Sequence, residues 1–201
     1  MHVDLTAKDL ILVTAPLIEP LTLEEVKDHL RIDGTIEDSY IEPLIQPARE
    51  WAEAYLNRAL ITQTWDLFLE RFPKWSGTQI EIPFPKLQSI TDVKYQDILD
   101  VQQIWSDTLY TVDTNREIGR IIPITDEDYP STFGHIHDVV IRFVAGYGSN
   151  AEDVPRAILQ GMLLKIGHWY ERREDTSVAP MHKIPDGAMN LLTPYKVWRA
   201  V

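Results

Sequence analysis

The sequence predicts an α+β protein with a small helical bundle core, an inserted antiparallel β-sheet domain and an extended C-terminal tail. Two stretches, residues 39–57 and 154–174, repeat apolar side chains at the spacing of one helix face. Between them, over residues 61–144, short apolar segments with a period of two are separated by glycine and proline. A length of 201 residues fits one domain that carries such an insertion.

The first region, residues 1–60, is predicted to contain an N-terminal arm and the first helices of the helical core. The run at residues 10–13 is too short for a membrane span and lacks the charge pattern of a signal peptide, so we expect a short strand or arm. Thr22 and Glu25 have capping-box spacing, which predicts that a helix begins there. A second helix is expected over residues 39–57.

The second region, residues 61–150, is predicted to be the inserted antiparallel β region. Apolar and polar residues alternate from Ile61 to Glu70, which is typical of a long strand with one buried face. Prolines and Gly77 then divide the following sequence into short β segments, the last of which spans residues 138–144.

The third region, residues 151–175, is predicted to be a long core helix. Gly146 and Gly148 indicate a sharp turn out of the preceding strand, Asp153 has the position of an N-cap, and Pro155 fits the first helical turn.

This helix has small residues on its polar side, where they cost helix stability and allow a second chain to approach closely. An ordinary core helix remains the simpler interpretation of the amphipathic pattern. As an alternative, the sequence predicts a subunit-packing face formed by Gly161, Leu164, Gly167 and His168.

The last region, residues 176–201, is predicted to be a linker with two prolines followed by an apolar and aromatic tail. Such a tail either folds back on its own core or docks into a partner, and tyrosine and tryptophan are residue types that anchor interfaces. The residues predicted to bind the partner are Leu191, Leu192, Tyr195, Lys196, Trp198 and Arg199.

Composition limits the possible functions. The formal net charge of −12 disfavours a protein that grips nucleic acid by neutralising phosphates, but suits a surface that DNA passes without sticking. The absence of cysteine excludes disulfides and thiolate metal sites. His135 and His137 lie on one side of a predicted segment, but no metal-site spacing is recognisable. We therefore predict no catalytic residues, no metal, no cofactor and no membrane association.

Several short motifs occur in an order that covers nearly the whole chain. Each motif is weak by itself, and the series is more specific. In this sequence they read LVTAP at 12–16, EPLTLEEVKDHLR at 19–31, RALITQTW at 58–65, IPFP at 82–85, AGYG at 145–148, VP at 154–155, HWYERRE at 168–174 and LLTPYK at 191–196. The series resembles phage head–tail connector (adaptor) proteins of the gp6-like family, in particular the prophage subfamily with an inserted β domain.

The resemblance implies a structural virion protein that forms an adaptor ring beneath the portal. It further implies a ring of about twelve subunits that matches the portal, contact with a stopper or tail-completion protein, and a central channel for DNA. The expected location is the virion neck, after assembly in the host cytoplasm, and the C-terminal tail is then the portal-docking segment.

Two other classes of protein remain open from the sequence. One is a different virion component, such as a tail-completion or stopper-type protein. The other is a soluble enzyme whose site is assembled from residues such as His135, His137 and the acidic loop at 126–130. Bound metal or turnover in the purified protein would favour the enzyme.

Overall fold

The computed structural model describes residues 10–172 and 187–198. The described residues form two compact units. The sheet unit comprises residues 10–16 with Thr62–Gly146, and the helical unit comprises Leu17–Ile61 with the residues from Tyr147 onward. The predicted combination of a helical core and an inserted antiparallel sheet region is therefore confirmed.

The described part of the helical unit contains four α-helices: α1 (Leu23–Leu30), α2 (Asp38–Leu56), α3 (Arg156–Glu171) and α4 (Gly187–Leu192). The predicted capping box is present at the start of α1. There the Glu25 N–H donates to Thr22 Oγ1 (3.2 Å) and the Thr22 N–H donates to Glu25 Oε2 (2.8 Å). The core is formed by apolar side chains from all four helices, including Val26, Ile41, Ile45, Ile158, Met162, Ile166 and Leu192.

The entry into α3 differs from the prediction in one detail. Asp153 ends a 3-10 turn and its carboxylate accepts from the Asn150 N–H (3.0 Å), while Pro155 directly precedes the helix. Gly146 has the expected positive φ of 137°. Gly148 is required for a different reason, because a Cβ there would overlap the Asp153 carboxylate.

The sheet unit is built on a five-stranded antiparallel sheet. Its strands are β1 (Leu10–Thr14), β2 (Gln63–Leu69), β4 (Leu87–Gln96), β5 (Gln102–Ile104) and β8 (Val139–Ala145), in the order β1-β2-β8-β4-β5. The register of β2 and β8 places Leu67 opposite Ile141, and both side chains are fully buried. Asp66 and Arg142, also opposite each other, form a bidentate ion pair with two N–O distances of 2.8 Å.

A second, three-stranded sheet has the order β3-β7-β6 and comprises β3 (Ile80–Glu81), β6 (Tyr110–Asp113) and β7 (Arg120–Pro123). An aromatic cluster lies within the same unit. It contains Phe72, Tyr95, Trp105, Tyr110 and Tyr129. Tyr129 comes from the predicted acidic loop, its hydroxyl donates to the carbonyl of Thr78 (2.7 Å), and burial raises its pKa well above the ordinary value.

Tertiary partners decide the course of two segments. The run at residues 10–13 lies in a short strand, one of the two forms expected for it, and this strand, β1, pairs with β2 in the sheet unit. The C-terminal segment, residues 187–198, is not extended: it forms α4 and a 3-10 turn over Thr193–Tyr195 within the helical unit. The physical reason in both cases is a tertiary partner that local sequence patterns do not reveal.

Candidate interaction surfaces

The C-terminal segment is held to the end of α2 by main-chain and side-chain hydrogen bonds. The Val197 N–H donates to the Leu56 carbonyl (2.9 Å), and Asn57 Nδ2 donates to the Val197 carbonyl (3.1 Å). Arg58 Nε donates to the Tyr195 carbonyl. These contacts fix the course of the chain as far as Val197.

Burial divides the predicted portal-binding residues into two groups. Leu192 is 0% exposed and belongs to the core of the helical unit, so the prediction that it contacts a partner is wrong. Trp198, in contrast, is 70% exposed, while Leu191, Tyr195 and Lys196 are half-buried. Arg199 lies outside the described residues, as does the predicted linker up to residue 186.

The predicted subunit-packing face on α3 also divides. Gly161 is buried, and a Cβ on it would overlap Leu192 Cδ1 and lie 3.3 Å from the Ala188 carbonyl oxygen. Its missing side chain therefore admits α4 of the same chain and not a neighbouring subunit, which corrects the prediction at this position. Leu164 and His168 are exposed and Gly167 is half-buried, so these three remain a predicted surface.

The two glycines of α3 give a matched test of this assignment. Gly161→Ala is expected to lower the free energy of unfolding by about 1–2 kcal/mol, because the clash with Leu192 outweighs the better helix propensity of alanine. At Gly167 a Cβ would meet its nearest atoms, Leu30 Cδ2 and His29 Nε2, at 3.7 and 3.8 Å, which are ordinary contact distances. Gly167→Ala is therefore expected to stabilise by up to about 1 kcal/mol. Urea unfolding measures both, and a stabilised Gly161→Ala variant would contradict the packing of α4 on α3.

Aromatic rings and lysines form a continuous row in the helical unit, which we call the aromatic–lysine row. Lys196 Nζ lies 4.2 Å from the centroid of the Tyr55 ring and 4.9 Å from that of Trp198. Tyr55 stacks on Trp51 with a centroid distance of 6.2 Å and an interplanar angle of 14°. Lys165 continues the row, with Nζ 5.0 Å from the centroid of Trp51 and 5.4 Å from that of Trp169.

Every member of the row except Trp198 is half-buried, and each lysine lies over two rings. Such cation–π contacts hold the lysines and the rings in fixed positions, which reduces the entropy lost when a partner binds. The sequence analysis missed Trp51 and Lys165. The sequence does contain a signal for both residues, which is the spacing of four on a predicted helix. Trp51 is four residues from Tyr55, and Lys165 is four residues from Trp169.

The histidines considered for metal binding lie in different surroundings. His135 Nδ1 is 3.7 Å from Asp100 Oδ1, whereas the His137 ring packs 5.2 Å from the ring of Phe68. Within residues 10–172 and 187–198, no group of three or more metal-ligating side chains is placed to hold an ion. In the same residues, no helix is both long and apolar enough to cross a membrane.

The described residues thus form a helical unit that presents aromatic side chains and an antiparallel sheet unit. Residues 20–97 match the family model of the phage gp6-like head–tail connector protein. The predicted resemblance to the gp6-like head–tail connector family is therefore confirmed. No curated protein sequence matches the chain.

Solved structures with the same fold come from gene transfer agent (GTA) particles. The chain is similar, with a TM-score of 0.77 and 24% identity, to a chain in the virion of the native GTA particle, with 96% of this chain and 97% of that chain covered. The same values hold for a chain in the neck of the empty particle computed with C6 symmetry. For the neck of the native particle computed with C12 symmetry, the TM-score is 0.73, the identity 23% and the coverage 96% and 97%.

Proposed function

We propose that this protein is a structural head–tail connector that forms a ring in the neck of a phage or phage-like particle. The observation that carries the proposal is the match of residues 20–97 to the connector family. The fold likeness along 96% of the chain to proteins of a particle neck supports it. The proposed role is structural, as the head–tail connector family indicates.

The ring is proposed to contain about twelve copies, in line with the C12 symmetry named for one similar neck structure. It docks beneath the portal on one side and meets a stopper or tail-completion protein on the other. DNA passes through its centre without specific binding, because a net charge of −12 on each copy repels the phosphate backbone. Assembly is proposed to take place in the host cytoplasm, and the finished ring lies in the virion neck.

The portal contact is proposed to use the exposed end of the aromatic–lysine row. Trp198 is a large, mostly exposed aromatic side chain, and it is held next to Lys196 and Tyr55 by the hydrogen bonds that fix Tyr195 and Val197. Rigid aromatic anchors of this kind contribute strongly to protein interfaces. Leu191 and Tyr195, both half-buried, border the same contact.

Electron microscopy of the purified protein mixed with the portal of its own particle tests this function directly. We expect a ring of density with the rotational symmetry of the portal on one end of the portal, because a connector must match its neighbour subunit for subunit. The major capsid protein from the same particle, added in place of this chain, serves as the control. Portal particles that carry no added density at saturating protein would contradict the connector role.

A further inference from the structure

The five-stranded sheet has an outer strand at each end, β1 on one side and β5 on the other. Among the described residues, β1 pairs only with β2 and β5 only with β4. An outer strand of an antiparallel sheet leaves alternate backbone N–H and C=O groups facing away from its partner. The sheet unit therefore has two edges at which another strand or chain segment can be added.

The β1 edge is apolar and has no charged side chain. Ile11 is 56% exposed, and Leu12 and Val13 are both more than 40% exposed. Residues 10–16, LILVTAP, contain no acidic or basic residue in a chain of which 25% is charged. Strand edges in soluble proteins are commonly protected by charged residues. An edge without this protection fits a surface that is covered after assembly.

The opposite edge carries a second apolar surface, the hairpin that joins β4 to β5. Leu99 is 76% exposed and Ile104 67% exposed, and Ile98 and Val101 are exposed beside them. Asp97 holds the hairpin in one conformation. Its carboxylate accepts hydrogen bonds from the N–H groups of Leu99 (2.8 Å) and Val101 (3.1 Å) and from Gln103 Nε2 (2.9 Å). These bonds, that of Gln103 foremost, keep the pKa of Asp97 below its ordinary value.

The two edges cannot contact each other within one copy. Four strand spacings separate them, which is about 19 Å. Each copy also has a net charge of −12, so a contact between two copies is favoured at surfaces that carry little charge. The β1 edge and the hairpin meet this condition, since the hairpin from Ile98 to Ile104 contains one charged residue, Asp100.

We propose that neighbouring copies of this chain contact each other through the sheet unit, with the Ile98–Ile104 hairpin of one copy lying against the β1 edge of the next. Two different surfaces at opposite ends of one sheet make a head-to-tail contact, and such contacts form a ring when the rotation closes. This proposal rests on the proposed function, because the ring that the contact forms is the connector ring. Apolar side chains carry most of the contact, because β5, with three residues, offers few main-chain hydrogen bonds.

Cysteine cross-linking tests this contact cleanly, because the native chain contains no cysteine. The full chain with both Ile11→Cys and Leu99→Cys, mixed with portal and treated with a short bismaleimide, is expected to give a ladder of oligomers longer than dimers. A mixture of the two single variants is expected to stop at dimers, since each copy then carries only one half of the contact. Ile11→Cys combined with Trp75→Cys is the control, because Trp75 is 75% exposed in the loop between β2 and β3.

Electron microscopy of the same samples separates the failure of this contact from the failure of the connector role. Rings on the portal without a ladder would overturn the edge contact and leave the connector role intact. A ladder without portal binding would support the contact and contradict the role, and the absence of both would overturn both. Dimers from the Ile11→Cys variant alone would show a two-fold contact between β1 strands and would also overturn the proposal.

Discussion

Ile166→Asp is expected to unfold the helical unit. Ile166 is 0% exposed and packs in the core formed by the helices of that unit. An aspartate there must either bury an unpaired charge or be protonated, and the lost apolar burial adds to the cost, for a total of about 4 kcal/mol or more. We expect the helical circular-dichroism signal to be lost at a lower urea concentration than in the native protein, or to be weak without urea.

Gln160→Asp is the matched control, because it introduces the same side chain into α3 at an exposed position. The control is expected to change the free energy of unfolding by less than about 1 kcal/mol, which reflects the lower helix propensity of aspartate alone. If both variants unfold at the same urea concentration as the native protein, Ile166 does not lie in a packed core.

The regular elements were largely predictable from the sequence. The capping box of α1 and the period of two in β2 are local signals, and both appear where the sequence places them. The fold class followed from the change of period after Ile61. Such patterns report which face of an element is buried, but they do not report which element covers that face.

The interaction surfaces were only partly predictable for this reason. Gly161 and Leu192 each looked available for another chain, because their separate sequence neighbourhoods do not show that they pack on each other. Residues 10–13 were expected to be a short strand or arm, but their partner could not be named, since β2 lies about fifty residues further along the chain. The aromatic–lysine row joins α2, α3 and the C-terminal segment, and no single stretch of sequence contains it.

Leu192→Ala and Trp198→Ala are expected to separate the two roles of the C-terminal segment. Leu192 is fully buried, so truncating it leaves a cavity beside Gly161 and is expected to lower the free energy of unfolding by about 2–5 kcal/mol. Trp198 is mostly exposed, and its truncation is expected to change stability by about 0.5 kcal/mol or less. Urea unfolding of the full chain measures both changes.

Trp198→Ala, which has little expected effect on stability, is expected to weaken binding to the portal. If Trp198 anchors the interface, Trp198→Ala weakens the association by about 2 kcal/mol, which corresponds to about a thirtyfold higher Kd. Met189→Ala, at another exposed position of the same segment, is the control and is expected to leave the Kd within about threefold of the native value. A Trp198→Ala variant that is as stable as the native protein and binds portal equally well would show that the portal contact lies elsewhere. The exposed α3 residues Leu164 and His168 would then be the next surface to substitute.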